Sequence, residues 1–266
     1  YKGSDASKYS KNSKLVYCTD GWLKQKLLGD PMLTEFDAII IDEAHERKVN
    51  IDVLLLLSKD LLKRRKDFKL IIMSATVNSQ IFSDYFPKKE YNFDIFDAGS
   101  VPNHPIETFF LDKPINIFKN NQLSTSNITH ILLAAVERII KILKETDKGE
   151  ILVFVTGQGD GVNGCQLLKQ ELIKINKENK TNREKQLFCD VLHSTTPDDL
   201  KPLLTSNIYK ESKHPNSNKN YTRKVIFATE VAESSITITG VDFVIETGLA
   251  NVSIYYPLTN MNSLEK

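Results

Sequence analysis

Apolar residues recur along this chain in two alternating rhythms. Short, nearly unbroken apolar runs at residues 36–41, 69–73, 150–155, 188–192, 224–229 and 241–246 read as strands. The run ending in Ile39-Ile40-Ile41 reads as a strand buried on both faces of a parallel sheet, because it has no polar alternation. Residues 14–18 and 93–96 are shorter strand candidates. Between the runs, apolar positions repeat at helical spacing. Leu54, Leu55, Ser58, Leu61 and Leu62 predict a helix over 51–65, and Ile128, Ile131, Leu132, Ala135, Ile139, Ile142 and Leu143 one over 127–144. Further helices are predicted at 21–28, where Asp20 can cap the start, at 81–86 and at 164–175. Strands alternating with helices at this spacing predict an α/β fold with parallel sheets.

Gly99-Ser100-Val101-Pro102-Asn103-His104-Pro105 interrupts the rhythm as a linker would. The expected organisation is therefore two α/β domains in tandem, residues 1–108 and 109–266, the first of them short. Residues 174–185 and 211–223 are rich in Lys, Asn and Ser and read as solvated surface loops.

Composition narrows the classes. With 266 residues, 41% hydrophobic and 26% charged, the chain can bury a core and is not expected to be disordered. No apolar run approaches the ~20 residues of a membrane span, and there is no signal region. The chain begins at Tyr1 rather than Met, so a processed product or a piece of a longer protein is expected. The net charge of +1 means that any nucleic-acid surface must be a local arrangement. Cys18, Cys165 and Cys189 have neither zinc-ligand nor redox spacing. A disulfide framework is not expected, and a reducing, intracellular compartment is inferred, cytoplasm or nucleus.

The most informative segment is Ile39-Ile40-Ile41-Asp42-Glu43-Ala44-His45-Glu46-Arg47. Two adjacent carboxylates after a buried parallel strand sit at the carboxyl edge of the sheet, where open α/β sheets bind ligands. Asp42 could hold Mg²⁺ there, and Glu43 could polarise a water for attack on a γ-phosphate. The pair could equally end a strand and stabilise the N-terminus of the next helix. On these residues alone the two readings are level.

Several segments together resemble the DEAH-box RNA helicases. Asp42-Glu43-Ala44-His45 is similar to motif II, Thr19-Asp20-Gly21-Trp22-Leu23 to motif Ib, and Met73-Ser74-Ala75-Thr76 to motif III. The run from Ile151 to Gln158 resembles motif IV, Leu192-His193-Ser194-Thr195-Thr196-Pro197 the next block, and the run from Ala228 to Ile238 motif V. All six follow in family order. The resemblance implies two RecA-like domains, the first truncated at its N-terminus, with ATP and Mg²⁺ bound between them and single-stranded RNA lying across both. It implies ATP hydrolysis coupled to 3′-to-5′ movement on RNA. By the same resemblance Asp42 is the metal-side carboxylate, Glu43 the catalytic base and His45 the link from nucleotide state to the facing domain. Ser74 and Thr76 couple hydrolysis to movement. Glu233 and Ser235 shape the nucleotide side of the second domain, and Thr19, Gly157, Ser194, Thr195 and Thr229 lie near the RNA backbone. Hydroxyls and amides suit that last role, since phosphate and sugar contacts position a strand without reading sequence. A protein activator is left open, and no membrane partner is implied.

The chain also departs from the family pattern. It contains no G-x-x-x-x-G-K-[ST] phosphate loop, which in the family lies upstream of motif Ib, and no Q-R-x-G-R-x-G-R segment, which would follow residues 251–264, a stretch resembling the start of the family's β-hairpin. Gly159-Asp160-Gly161, Glu230, Thr239 and Glu246-Thr247-Gly248-Leu249 replace the usual residues. These changes suggest a divergent member of viral or parasitic source. They also support an alternative, a catalytically inactive helicase-derived scaffold that binds RNA or protein.

Overall fold

The structure is a computed structural model and describes residues 13–75, 80–97, 99, 104–115, 118–119, 122–123, 125–179, 186–212, 220–234 and 236–265. The chain divides into two compact units, residues 1–107 and 108–266. In the first, the order is α1 (Asp20–Gly29), β1 (Ala38–Ile41), a 3-10 turn (Ala44–Glu46), α2 (Val49–Arg64), β2 (Lys69–Ile72) and α3 (Gln80–Tyr85). In the second it is β3 (Phe118–Lys119), β4 (Gln122–Leu123), α4 (Thr125–Glu145), β5 (Glu150–Phe154), α5 (Gln158–Asn179), β6 (Leu187–Leu192), α6 (Lys201–Thr205), a 3-10 turn (Ile208–Glu211), β7 (Arg223–Ala228), α7 (Val231–Ser234), β8 (Val241–Glu246) and the strands β9 (Val252–Tyr256) and β10 (Met261–Glu265).

The first unit holds a two-stranded parallel sheet, with Ile39 opposite Leu70 and Ile41 opposite Ile72. Its core joins Ile39 and Ile41 to Ile51, Leu54, Leu55 and Leu61 of α2, and to Leu27, Leu33 and Phe86. Leu33, at φ 43°, is buried in that core. Ile40 and Ile71 point the other way and are about half exposed. The expectation that residues 36–41 are covered on both faces is thus corrected: among the described residues the two-stranded sheet has one packed face, so burial alternates along β1. Residues 14–18 and 93–96 are not paired strands either. Within these stretches Cys18 alone makes an isolated bridge, and Phe93 packs beside the core outside any strand.

The second unit is the fuller α/β layer. Four parallel strands run in the order β6-β7-β5-β8. Every residue of β7 is buried, because this central strand is covered on both faces. One face carries Ile151, Val153, Val225 and Phe227 against α4 and α5. The other carries Leu152, Leu192, Ile226 and Ala228 against Leu204 of α6 and Ala232 of α7. The expected α/β class with parallel sheets holds in both units, an arrangement consistent with RecA-like domains. Strands β9 and β10 pair antiparallel as a hairpin.

Helix α5 is longer than its apolar pattern predicts, beginning at Gln158 rather than near 164. The reason is tertiary. A Cβ on Gly161 would lie 2.6 Å from Val191 Cγ1, and one on Gly164 would run into the Phe227 ring closer still. Gly161 and Gly164, poor helix formers, stand in the first turns because the helix crosses the sheet too closely there for a methyl group. That approach also brings Cys165 beside Cys189, and the two form a disulfide with a Cα–Cα distance of 5.9 Å. No disulfide was expected from the cysteine spacing, and this single bridge corrects that: a 24-residue separation carries no spacing signal, and the helix–strand packing supplies the proximity.

A buried polar cluster closes the amino edge of this sheet. Tyr209 OH donates to Glu150 Oε1 and the Lys224 amide to Glu150 Oε2, the latter at 2.7 Å. Lys224 Nζ donates to the carbonyls of Leu204 and Ser206, both at 2.7 Å, capping the end of α6. Lys224 and Tyr209 are fully buried. Burial pushes the Lys224 ammonium down to about 8, against the upward pull of the Glu150 carboxylate. Burial first, then the hydrogen bond to Glu150, pushes the Tyr209 phenol above its usual range.

This packing can be tested at its glycines and at its buried lysine. Gly164→Ala forces a methyl into Phe227; overpacking costs ~1–3 kcal/mol, only partly offset by the helix propensity of Ala. Gly159 has nothing within 4 Å of a built Cβ, so Gly159→Ala should be neutral or stabilise by up to ~1 kcal/mol. Urea titrations of both variants check the contrast. The lysine predicts a pH dependence. Below about pH 8, Lys224 is protonated whether folded or unfolded. Between about 8 and its unfolded value of 10.5 the unfolded chain holds a proton that the folded chain has lost. Stability should therefore rise with pH across that window, by up to ~1.4 kcal/mol per unit. Lys224→Met should remove this component, read as the wild-type minus variant difference at about pH 7.5, 8.5 and 9.5.

Candidate functional site

The Asp42-Glu43 pair lies immediately beyond β1, at the carboxyl edge of the two-stranded sheet. Parallel pairing puts the end of β2 beside it. Met73 N–H donates to Ile41 O at 2.8 Å, and Ala44 N–H donates back to Met73 O at 3.0 Å. Ala44 is completely buried and anchors the turn. A third link joins the two strand ends: Ala75 N–H donates to His45 Nδ1 at 3.2 Å. His45 Nδ1 also lies 3.4 Å from Glu43 Oε2. While Nδ1 accepts from Ala75 it carries no proton, so its contacts with Ala75 and with the carboxylate are mutually exclusive as hydrogen bonds.

The turn is held in an unfavourable backbone geometry. Glu43 has φ 53° and Arg47 φ 50°, flanking the 3-10 turn on either side. Left-handed conformations of such residues cost ~1–2 kcal/mol each and persist where surrounding contacts impose them. Those contacts are visible. Asp42 Oδ1 accepts the Glu43 amide at 2.9 Å, and Arg47 grips Asp52 through Nε at 2.7 Å and Nη2 at 3.0 Å. The Arg47 guanidinium holds the Asp52 carboxyl below its usual range. Glu46 pairs with Lys48. The result projects Asp42, exposed, and Glu43, partly exposed, from a turn whose backbone is pinned. An open cleft of about 550 Å³ lies on this unit, lined by Arg47, Asp52, Leu55, Leu56, Phe82 and Tyr85 among others; Asp42 and Glu43 do not line it.

No cluster of three or more His, Cys, Asp or Glu able to cage a metal occurs among the described residues. Mg²⁺ needs no such cage, since one or two carboxylates plus waters and substrate phosphates hold it. An exposed carboxylate at the carboxyl edge of a parallel sheet is a donor of the right hardness, so Asp42 fits the ion. Ser74 is exposed at the end of β2. Thr76 lies outside the described residues. Thr19 is the N-cap of α1, its hydroxyl accepting from Trp22 N–H at 3.3 Å.

In the second unit, the parallel strands bring four of the sequence-predicted residues to one edge. Gly157 follows β5, Ser194 and Thr195 follow β6, and Thr229 follows β7. Backbone bonds tie these ends together: Val155 N–H to Ala228 O at 2.8 Å and Thr229 N–H to Leu192 O at 3.1 Å. Ser194 and Thr195 are exposed, whereas Thr229 is only 8% exposed. The side chain of Glu233 and the whole of Ser235 lie outside the described residues.

Several residues brace these ends in a role that sequence reasoning did not assign them. His193 Nδ1 accepts the Thr195 amide at 3.3 Å and lies 3.0 Å from its hydroxyl. The buried Thr196 hydroxyl accepts the His193 amide at 2.8 Å. Thr156 donates to Asp160, and Asn251 Nδ2 donates to Thr156 O at 2.7 Å. Thr247 Oγ1 donates to Phe154 O at 2.8 Å. Thr196 sits inside one of the recognised blocks and Asp160 just after another, so proximity to a motif was an available signal. Thr247 likewise stands in a segment that departs from the family pattern; Asn251 carried no such signal, because it acts on Thr156 across 95 positions.

Two α/β units with parallel sheets, one presenting an Asp-Glu-Ala-His turn and the other a braced edge of Gly, Ser and Thr, are the parts expected of a helicase core. No family model matches the chain. It is 33% identical over 269 aligned positions, covering all of this chain, to a protein of Acanthamoeba polyphaga mimivirus named as a putative ATP-dependent RNA helicase. It is 33% identical over 257 residues, 97% of the chain, to the ATP-dependent RNA helicase HrpA of Borreliella burgdorferi. A DHX35 homologue of Caenorhabditis elegans, named as a probable ATP-dependent RNA helicase, is 31% identical over 259 residues. These alignments cover 34%, 27% and 31% of the relatives, so the chain spans about a third of their length. Over nearly its whole length, then, the chain is a homologue of the ATP-dependent RNA helicases, in keeping with its DEAH-box motifs.

The geometry around His45 makes one prediction. His45→Ala removes the acceptor of the Ala75 amide. A neutral hydrogen bond contributes ~0.5–1.5 kcal/mol, so exchange of the Ala75 amide with solvent deuterium should quicken roughly three- to tenfold. Amides in the middle of α2 should be unaffected.

Proposed function

We propose that the chain is part of an ATP-dependent RNA helicase that couples ATP hydrolysis to movement along, or unwinding of, RNA. The observation that carries this reading is the bonded junction of the Asp42-Glu43-Ala44-His45 turn with the strand end at Met73-Ser74-Ala75. In this reading Asp42 holds Mg²⁺, which neutralises charge on the ATP phosphates. Glu43 orients and deprotonates the attacking water. His45, with Ser74 and Thr76, carries the nucleotide state from the Asp-Glu turn to the strand end after β2, since its ring is already hydrogen-bonded there. Glu233 and Ser235 serve the nucleotide in the second unit, and residues 1–108 and 109–266 are the two functional domains. Thr19, Gly157, Ser194, Thr195 and Thr229 contact the backbone of single-stranded RNA. The pinning of Thr195 by His193 supports that role, because a preordered loop binds without losing freedom it never had. A protein activator and an intracellular site of action belong to the same proposal. No helix among the described residues is long and apolar enough to cross a membrane.

The scaffold alternative draws on Glu230 and Thr239, which replace residues usual in the family. The test uses the full-length parent protein. Glu43→Gln should lower kcat by at least ~10²-fold, the usual worth of a positioned base, and leave ATP affinity within a few-fold. An unchanged kcat would move the base elsewhere, and no ATPase in the parent itself would favour the scaffold. Single-stranded RNAs of unrelated sequence should bind alike, with affinity falling as salt rises. A strong sequence preference would point instead to a dedicated recognition surface.

A further inference from the structure

We propose that Cys165 and Cys189 form a reversible thiol–disulfide clasp that locks α5 onto β6 in the second unit. The two Cα atoms stand 5.9 Å apart, within the roughly 4.4–6.8 Å that a bridge spans without backbone movement. This proximity is built into the packing rather than left to a loose surface. Gly161 and Gly164, on the same helix, allow the close approach to Val191 and Phe227 that brings Cys165 over the sheet. Both cysteines are partly exposed at the margin of the core, packed against it rather than sealed within it. The clasp works by a small thiol or disulfide reaching them at this margin.

The clasp joins two elements with exposed ends. Helix α5 begins just after Thr156 and Gly157, and β6 runs into His193, Ser194 and Thr195. Bridging them closes a loop across a separation of 24 residues, which removes freedom from the unfolded chain. The third cysteine, Cys18, belongs to the other unit and is half-buried, with burial pushing its thiol up. It serves as an internal control.

Closure needs an oxidant, and the one proposed is a low-molecular-weight disulfide of the glutathione type. One protein thiolate attacks a sulfur of that disulfide, breaking its S–S bond, forming a mixed disulfide and releasing one glutathione thiolate. The second protein thiolate then attacks the protein-side sulfur and displaces the other. The protein dithiol loses two electrons, the oxidant gains them, and the two protons of the protein thiols end on two molecules of reduced glutathione. Excess reduced glutathione reverses both steps.

The experiment uses the whole 266-residue chain equilibrated with glutathione at a series of disulfide-to-thiol ratios, then quenched with N-ethylmaleimide under denaturing conditions and weighed. Three alkylated thiols are expected under reducing conditions. Under oxidising conditions one is expected, with no added glutathione mass, and digestion should yield a single linked peptide pair containing Cys165 and Cys189. The oxidised second unit should melt higher, by on the order of 10 °C for a loop of this length. Cys165→Ser should lose the linked pair and the melting shift and take up one glutathione at Cys189. If that variant does not fold, peptide mapping and melting of the wild type decide the matter alone. Three alkylatable thiols under excess oxidant, two bound glutathiones without a link, a bridge that excess reduced glutathione cannot open, or equal melting in both states would each overturn the proposal.

Discussion

Parallel hydrogen bonding places every strand of a sheet so that it ends on the same edge, and this chain's candidate chemistry rests on that constraint. In the first unit the pairing of β1 with β2 sets the Asp42-Glu43 turn beside Ser74-Ala75. In the second, the order β6-β7-β5-β8 gathers Gly157, Thr229 and the Ser194-Thr195 loop. The links between strand ends, Met73 to Ile41 and Thr229 to Leu192, prolong the ladders by one residue into the loops. Backbone amides used in this way fix the loops while Ser74, Ser194 and Thr195 stay exposed.

The two edges of the four-stranded sheet are treated in opposite ways. At the amino edge Glu150, Tyr209 and Lys224 are sealed from water and satisfy one another and the end of α6. Buried ionic groups of this kind are expensive to separate and so resist opening. At the carboxyl edge Ser194 and Thr195 are exposed and braced only from beneath, by His193 and Thr196. A rigid base under an accessible rim is what a surface needs if it is to meet a ligand without reorganising. The strained turn at Glu43 and Arg47 follows the same plan on a smaller scale, with Ala44 buried as its foot.

Much of the candidate site was legible before any coordinates. Asp42, Glu43 and His45 stand together in one short segment, and the run of Ile residues before them announces the strand that presents them. What could not be read was the partner of each group. His45 meets Ala75 across 30 positions, and Asn251 meets Thr156 across 95; neither pairing leaves a local trace. The same holds for Glu150 and Lys224, which look in the sequence like ordinary surface charges at strand ends.

The sequence by itself determined the longer elements and the fold class, because hydrophobic periodicity is a local property and decides helix or strand wherever a run is long enough to bury a face. It specified α2, α4 and the strands β5, β7 and β8 to within two residues or so, and it specified that their sheets are parallel. The tertiary structure decided what depends on approach distance and on which faces are covered. It left Ile40 and Ile71 uncovered on a two-stranded sheet, carried α5 back through Gly161 and Gly159, which the pattern disfavours, and joined Cys165 to Cys189. Those outcomes arise from contacts between segments distant in the chain, and close packing, not periodicity, selects among them.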